Sequence, residues 1–321
     1  MIHFKSQIIK LIIRIIIFLA VLASLDFICG GILEKLYFNQ KTGLFYRTTY
    51  GLEKTNAEVL IFGSSSANHH YSPVVLEKQL NLTVYNEGRD GMDILYHTAI
   101  LKGILKRYTP KVIILNIAPN ELTTSNGYDR FSILLPYLRK YPEMIDVLRL
   151  KSKYEKIKCI SKTYSYNSML LTIITGMIPN KEKSFIDKGF VPLFDTLNTA
   201  KTKISTLVND PKLDTNRVSF LNQFIKISKE KGIRLYVVFS PYYFSDINTT
   251  SSIEVVNSIC KQYKTPIMNY IQDSSFTKRE EYFVDGGHLN INGATLLSTK
   301  LSAIINKDLL DCKLEVLTPN K

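Results

Sequence analysis

The sequence predicts an α/β protein of three layers, with a parallel sheet of five strands between two layers of helices. Short apolar runs rich in β-branched residues recur at 59–62, 82–85, 112–117, 234–239 and 266–269. Segments with helical apolar spacing separate them, at 73–80, 92–108, 216–231 and 253–263. The runs are apolar throughout and do not alternate, as strands covered on both faces require.

The elements follow in chain order. Residues 15–33 are apolar for nineteen positions except Asp26, and Lys5, Lys10 and Arg14 precede them. That length is about enough to cross a ~30 Å hydrocarbon core. The flanking charges predict a cytoplasmic N-terminus and an exported remainder. A cleaved signal peptide is the plainer alternative, but the run is long and no small-x-small site closes it. Asp26 would face a partner helix or a water-accessible side, because an intramembrane carboxylate is costly; otherwise the helix ends early. Residues 36–56, polar with tyrosines and phenylalanines, read as a membrane-proximal linker.

The run 59–62 ends at Gly63 and is the first strand. Pro73 suits the first turn of the helix that follows. The second strand leads into a long helix stopped by Pro110, and the third strand follows. Gly232 closes the helix 216–231. The fourth strand, another helix and a weak fifth strand come next, and the last helix follows Asn292. This pattern makes 57–310 one domain, with an insertion at 122–215 and a short tail at 311–321, behind an anchor at 1–35. Within the insertion, residues 130–188 hold twelve Lys/Arg against five Asp/Glu, and 168–179 form an apolar run too short to span a bilayer. A core helix under a solvated basic face is the bland reading. A cap that touches membrane or anionic polymer is the functional one.

Composition sets the bounds. The chain's 321 residues, 45% of them hydrophobic, can build a large core. Its 41 basic against 28 acidic residues give a net charge of +13, which suits an acidic partner: an anionic glycan, lipid headgroups or nucleic acid. No nucleic-acid motif is present, so nucleic acid is not expected. Cys29, Cys159, Cys260 and Cys312 form no CxxC pair and imply no disulfide framework or zinc site. No metal or organic cofactor is called for.

Ligand sites in open parallel sheets form outside the carboxyl ends of the strands. Polar motifs stand at these ends: Gly63-Ser64-Ser65, Asn86-x-Gly88-x-x-Gly91, Asn120, and Asp285-x-x-His288. Ser65 needs a base before it can act as a nucleophile, and His288 titrates near neutrality. Asp285 can hold the other ring nitrogen, which completes a serine triad. The backbone N–H groups of Ser65 and Gly91 and the Asn120 amide would serve as oxyanion donors. Each residue also has a plainer role. Ser65 could cap a helix, or Ser64 could be the nucleophile. Gly91 and Asn120 could be turn residues, His288 a core histidine and Asp285 a loop acid. His69 and His70 are read as pocket-lining or surface residues.

These four blocks resemble those of the SGNH/GDSL hydrolase superfamily. The likeness covers roughly 57–122 and 216–306. It implies a flavodoxin-like sheet, Ser65 as nucleophile, Gly91 and Asn120 as oxyanion donors, and His288 and Asp285 as the remaining pair. The chain departs from the family at Ser64, where an aspartate is usual, at Ala118, where glycine is usual, and at Glu121. With its N-terminal anchor it is similar to the membrane-bound proteins of teichoic-acid D-alanyl transfer and glycan O-acylation. That branch implies an esterase or acyltransferase on an envelope polysaccharide, with an acylated or acyl-accepting glycan and a membrane-bound acyltransferase as partners. An idle domain that binds glycan or scaffolds such a complex is the competing expectation.

Overall fold

A computed structural model describes residues 2–123, 127–177, 188–199, 212–243 and 250–317. The stretches 178–187 and 200–211 of the expected insertion, with the end of its apolar run, and residues 318–321 of the tail lie outside the described residues.

The helices before the first strand are α1 (Ile2–Phe38) and α2 (Gly43–Glu53). Then come β1 (Val59–Phe62), α3 (Ser65–His70), α4 (Pro73–Leu80), β2 (Val84–Asn86), α5 (Ile94–Ile104) and β3 (Val112–Asn116). The middle of the chain holds α6 (Ile145–Lys151), α7 (Glu155–Lys158) and α8 (Leu170–Met177), with 3-10 turns between them. Last come α9 (Thr215–Glu230), β4 (Arg234–Phe239), α10 (Ser251–Tyr263), β5 (Ile267–Asn269) and α11 (Ile291–Leu317).

The chain forms two compact units. One joins Met1–Thr49 to Gly127–Asn180, and the other joins Tyr50–Asn126 to Lys181–Lys321.

The second unit holds a five-stranded sheet in the order β2-β1-β3-β4-β5, parallel at every pairing. This is the α/β architecture the apolar runs predict. Successive residues face opposite layers. Val59, Ile61, Val112, Ile114, Tyr236 and Val238 pack in one buried cluster with Leu76 of α4 and Leu297 and Leu301 of α11. Phe62 points the other way, edge-on to Phe224 of α9 at 5.4 Å between ring centres.

Three boundaries differ from expectation. Asn81 ends α4 in the left-handed conformation, so the second strand starts at Val84, and it takes in Asn86 opposite Ile61. Asp93 caps α5 by accepting from Leu95 N at 3.0 Å, which starts that helix later than the apolar spacing alone suggests. Asn290 Oδ1 accepts from the N–H groups of Asn292 and Gly293, both at 3.1 Å, and so starts α11 earlier.

In the first unit, α1 is a single helix whose described residues before Leu25 are exposed, and it is long and apolar enough to cross a membrane. It does not end at Asp26. That carboxylate accepts from Ser161 Oγ at 2.7 Å, Lys162 N at 2.6 Å, and Thr163 N and Oγ1 at 3.1 and 2.5 Å. The expected linker is largely helical: α1 runs on to Phe38 and α2 occupies most of the rest. Tyr37 is fully buried and its hydroxyl donates to that of Tyr137 at 3.1 Å.

Candidate active site

The chain leaves β1 through Gly63, whose φ of +137° lies outside the range of ordinary side chains. A Cβ there would also meet Asn116 O at 2.5 Å. Ser64 is the N-cap of α3, and Ser65 is its first residue. Ser65 is therefore presented at the carboxyl edge of a central strand, half-buried rather than enclosed.

The second motif holds α3 in place. Asn86 Nδ2 donates to Ala67 O at 2.8 Å and Tyr71 O at 3.2 Å, and its Oδ1 accepts from Gly88 N at 2.8 Å. Gly88 passes so close to α3 that a Cβ would lie 2.4 Å from Asn68 N. Arg89 N donates to Gly63 O at 3.0 Å, which extends the strand pairing into the turn that carries Ser65.

Asp285 and His288 stand on a loop closed at its base. Phe283 and Leu289 form an antiparallel bridge, and Val284 N donates to His288 O at 2.9 Å. Leu289 N donates to His70 Nε2 at 3.0 Å, which ties this loop to the far end of α3.

The structure brings Ser65, His288 and Asp285 together. His288 Nε2 lies 2.8 Å from Ser65 Oγ, and Nδ1 lies 2.8 Å from Asp285 Oδ2. A carboxylate only accepts, so Nδ1 carries the proton and Nε2 is free to accept from the serine. Asp285 Oδ1 also accepts from the N–H groups of Gly287 and His288, each at 2.8 Å. Burial acts to raise the Asp285 carboxyl. The His288 hydrogen bond and those N–H groups outweigh it and hold the carboxyl down at about 2. The hydrogen bond that His288 donates to Asp285 in turn raises His288 above its ordinary value, against burial.

Gly91 and Asn120 follow the carboxyl ends of β2 and β3, the two strands that flank β1. Gly91 takes φ +70° on an exposed turn where a Cβ would meet nothing within 4 Å. Conformation asks for glycine there, and space does not. Asn120 is half-buried on a turn held by Thr250 Oγ1, which donates to Pro119 O at 2.6 Å.

Several neighbouring residues have roles that the motifs themselves do not reveal. Glu121 is buried and accepts from Ile94 N at 3.0 Å. Burial, then the charge of Asp93, pushes its carboxyl up to about 8, so it is neutral at pH 7. Arg217, 1% exposed, links α9 to the start of α5 through Asp93 Oδ2 at 2.8 Å and also holds Thr123 O at 2.6 Å. Tyr242 packs beside Gly287. Burial, then the carboxyls of Glu121 and Asp285, raises its hydroxyl so that it stays a neutral donor. His69 and His70 are not surface residues. His70 is fully buried, and burial keeps it neutral, well below its ordinary value. His69 Nδ1 meets Val191 O at 2.7 Å, and its Nε2 lies 3.2 Å from Asp90. The only signal available for these residues was position, namely histidines within one short helix and an acid beside Asn120.

No family model matches the sequence, and no curated protein matches it. Solved structures do match in chain path. A protein of the G-D-S-L family from Desulfitobacterium hafniense has 10% identity, with 77% of this chain and 98% of that chain covered at a TM-score of 0.39. A lipase/acylhydrolase from Enterococcus faecalis has 12% identity, covering 78% and 95% at 0.40. An acetyl-xylooligosaccharide esterase from Geobacillus stearothermophilus has 9% identity, covering 77% and 93% at 0.39.

Proposed function

We propose that the chain is a membrane-anchored serine esterase or O-acyltransferase of the SGNH/GDSL type that acts on ester-linked acyl groups of an envelope polysaccharide. One observation carries the chemistry: the Ser65 hydroxyl is 2.8 Å from a histidine nitrogen whose partner nitrogen is held by a carboxylate.

The reaction follows from that geometry. His288 Nε2 takes the Ser65 proton as Oγ attacks the ester carbonyl carbon, and Asp285 stabilises the imidazolium that forms. The carbonyl oxygen becomes an oxyanion held by the backbone N–H groups of Ser65 and Gly91 and by the Asn120 amide, each worth about 2.7–4 kcal/mol in the transition state. The C–O bond to the alcohol breaks and His288 returns the proton to the departing oxygen. This leaves an acyl-enzyme at Ser65. In the second half His288 deprotonates water, which gives the free acid, or a sugar hydroxyl, which gives a new ester.

The apolar helix α1 with Lys5, Lys10 and Arg14 before it supports anchoring with the sheet unit outside the cytoplasm. The net charge of +13 supports an anionic acceptor or surface. A membrane-bound acyltransferase is the partner that would supply acyl groups.

The test is labelling by a fluorophosphonate. Wild-type protein should label and Ser65→Ala should not, with unchanged folding. Undiminished labelling of Ser65→Ala would end the assignment. With acyl donor and glycan acceptor supplied, an acylated glycan marks a transferase and free acid alone marks an esterase. Ser65→Ala protein that fully restores the cellular phenotype would favour the scaffold instead.

A further inference from the structure

Outside α1, eleven large apolar side chains are exposed among the described residues, and six of them lie within 154–174: Tyr154, Ile157, Ile160, Leu170, Leu171 and Ile174. Single exposed apolar residues need no explanation, but a cluster of this density does. The opposite face of this stretch is apolar too. Tyr166, Met169 and Ile173 are buried within the first unit, where the turn Thr163–Met169 and α8 both contact α1. From Tyr166 to Ile174 the stretch carries large apolar side chains on both its buried and its exposed side, which suits a protein core or lipid.

The depth of the stretch is set by α1. Asp26 receives four hydrogen bonds from Ser161, Lys162 and Thr163. One turn on, Gly30 makes room for them, since a Cβ there would lie 2.6 Å from Lys162 Cβ. At ~1.5 Å per residue the apolar run 15–33 spans about 28 Å, and Asp26 lies roughly 12 Å inside its Glu34 end. The 161–163 turn is pinned at that level and carries the neighbouring Ile157 and Ile160 with it. The charges match as well. Lys153 and Lys156 are exposed beside the apolar side chains, where long stems can lie on apolar surface and present ammonium groups to anionic headgroups.

We propose that residues 154–174 form a lipid-embedded collar on α1, seated in the anionic leaflet at that helix's carboxyl-terminal end. The collar rests on α1 crossing the bilayer, and it gives the expected basic insertion a role separate from the triad.

The experiment uses the full chain in nanodiscs of phosphatidylglycerol and phosphatidylcholine, with Cys29, Cys159, Cys260 and Cys312 replaced by alanine. A nitroxide is placed singly at Ile160→Cys, Leu171→Cys, Leu19→Cys within α1, or Val74→Cys on the sheet unit. Fluorophosphonate labelling checks that each variant is folded. Collision with oxygen is compared with collision with a water-soluble nickel complex. The oxygen-to-nickel ratio at positions 160 and 171 should be several-fold above that at 74 and should approach that at 19. A ratio at 160 and 171 equal to that at 74, with 19 still lipid-like, would overturn the collar and leave the anchor standing. A water-like value at 19 would remove the anchor and the collar together. Exclusion of both reagents at 160 would mean that a protein, such as a second copy, covers this face, and would also overturn the proposal. Lys153→Glu with Lys156→Glu should lower the ratio at 160 in phosphatidylglycerol discs and leave it unchanged in pure phosphatidylcholine. Equal ratios in both lipids would refute the anionic preference.

Discussion

Replacing Gly88 by alanine tests whether α3 is held by the loop after β2. The new Cβ would lie 2.4 Å from Asn68 N and 2.6 Å from the Ala67 carbonyl carbon. Both atoms belong to the backbone of α3, so no flexible side chain can step aside. Ordinary contact begins near 3.4 Å, so α3 and the loop must part by about 1 Å. Ser65 opens this six-residue helix and moves with it. Its 2.8 Å contact with His288, stretched by that amount, is no longer a hydrogen bond. A misplacement of ~1 Å costs about 10²-fold in rate, while overpacking costs about 1–3 kcal/mol of stability. The Gly88→Ala protein should therefore fold and label with fluorophosphonate on the order of 100-fold more slowly. Gly91→Ala is the control, because nothing stands within 4 Å of its Cβ. It should lose about 1–2 kcal/mol to its left-handed φ and label at nearly the wild-type rate. Near-normal labelling of Gly88→Ala, or a larger defect in Gly91→Ala, would refute the reasoning.

Asp285→Asn keeps the two loop N–H contacts but turns an amide nitrogen or a neutral oxygen toward His288. Ester hydrolysis should fall on the order of 10⁴-fold. The rising limb of the pH–rate profile should move to lower pH, because the carboxylate that raises His288 is gone; an unmoved limb would contradict the assignment of His288 as the base. Glu121 is held protonated in the folded chain up to about pH 8, against 4.5 as its ordinary value. Its folded-state pKa is raised, so the stability it contributes is full below about pH 4.5 and declines as pH climbs to about 8, by roughly 3 kcal/mol at pH 7. Glu121→Gln removes that slope, so its melting temperature should gain on wild type with rising pH, and a constant gap would show that Glu121 ionises freely. His70→Phe leaves Leu289 N–H without its acceptor. It should cost about 1–3 kcal/mol and lower kcat more than it raises KM, and an unchanged kcat would show that the His288 loop needs no such tie.

The sheet was legible because each strand carries its own evidence: a short apolar run that can only be satisfied with a layer on both sides. Boundaries were less so, because caps decide them. Asn81, Asp93 and Asn290 each move an end by one to three residues through a single local bond or dihedral. The first unit was hardly legible at all. Its 3-10 turns, such as Tyr128–Tyr137, have no clear period. Asp26 could be flagged as an awkward carboxylate in an apolar run, but its partners lie more than 130 residues away.

In the candidate site, residue types could be read and contacts could not. Ser65, His288 and Asp285 could be singled out because their chemistry is distinctive and each follows a strand or strand-like run, and the structure places the three within hydrogen-bond reach. The residues that hold them have no chemical signature. Asn86 and Gly88 were expected as parts of an oxyanion block, yet their observed contacts are with the backbone of α3 and with each other. Arg217 looks like any surface arginine on a helix until its two carboxylate partners and Thr123 O are seen around it. The glycines divide the same way. Gly63 and Gly88 are demanded by a neighbouring backbone within 2.5 Å of a Cβ, and Gly91 only by a dihedral angle. A motif of the form Asn-x-Gly-x-x-Gly therefore mixes two physical requirements. The first glycine keeps the Ser65 helix close, and the second permits a left-handed turn past the strand's end.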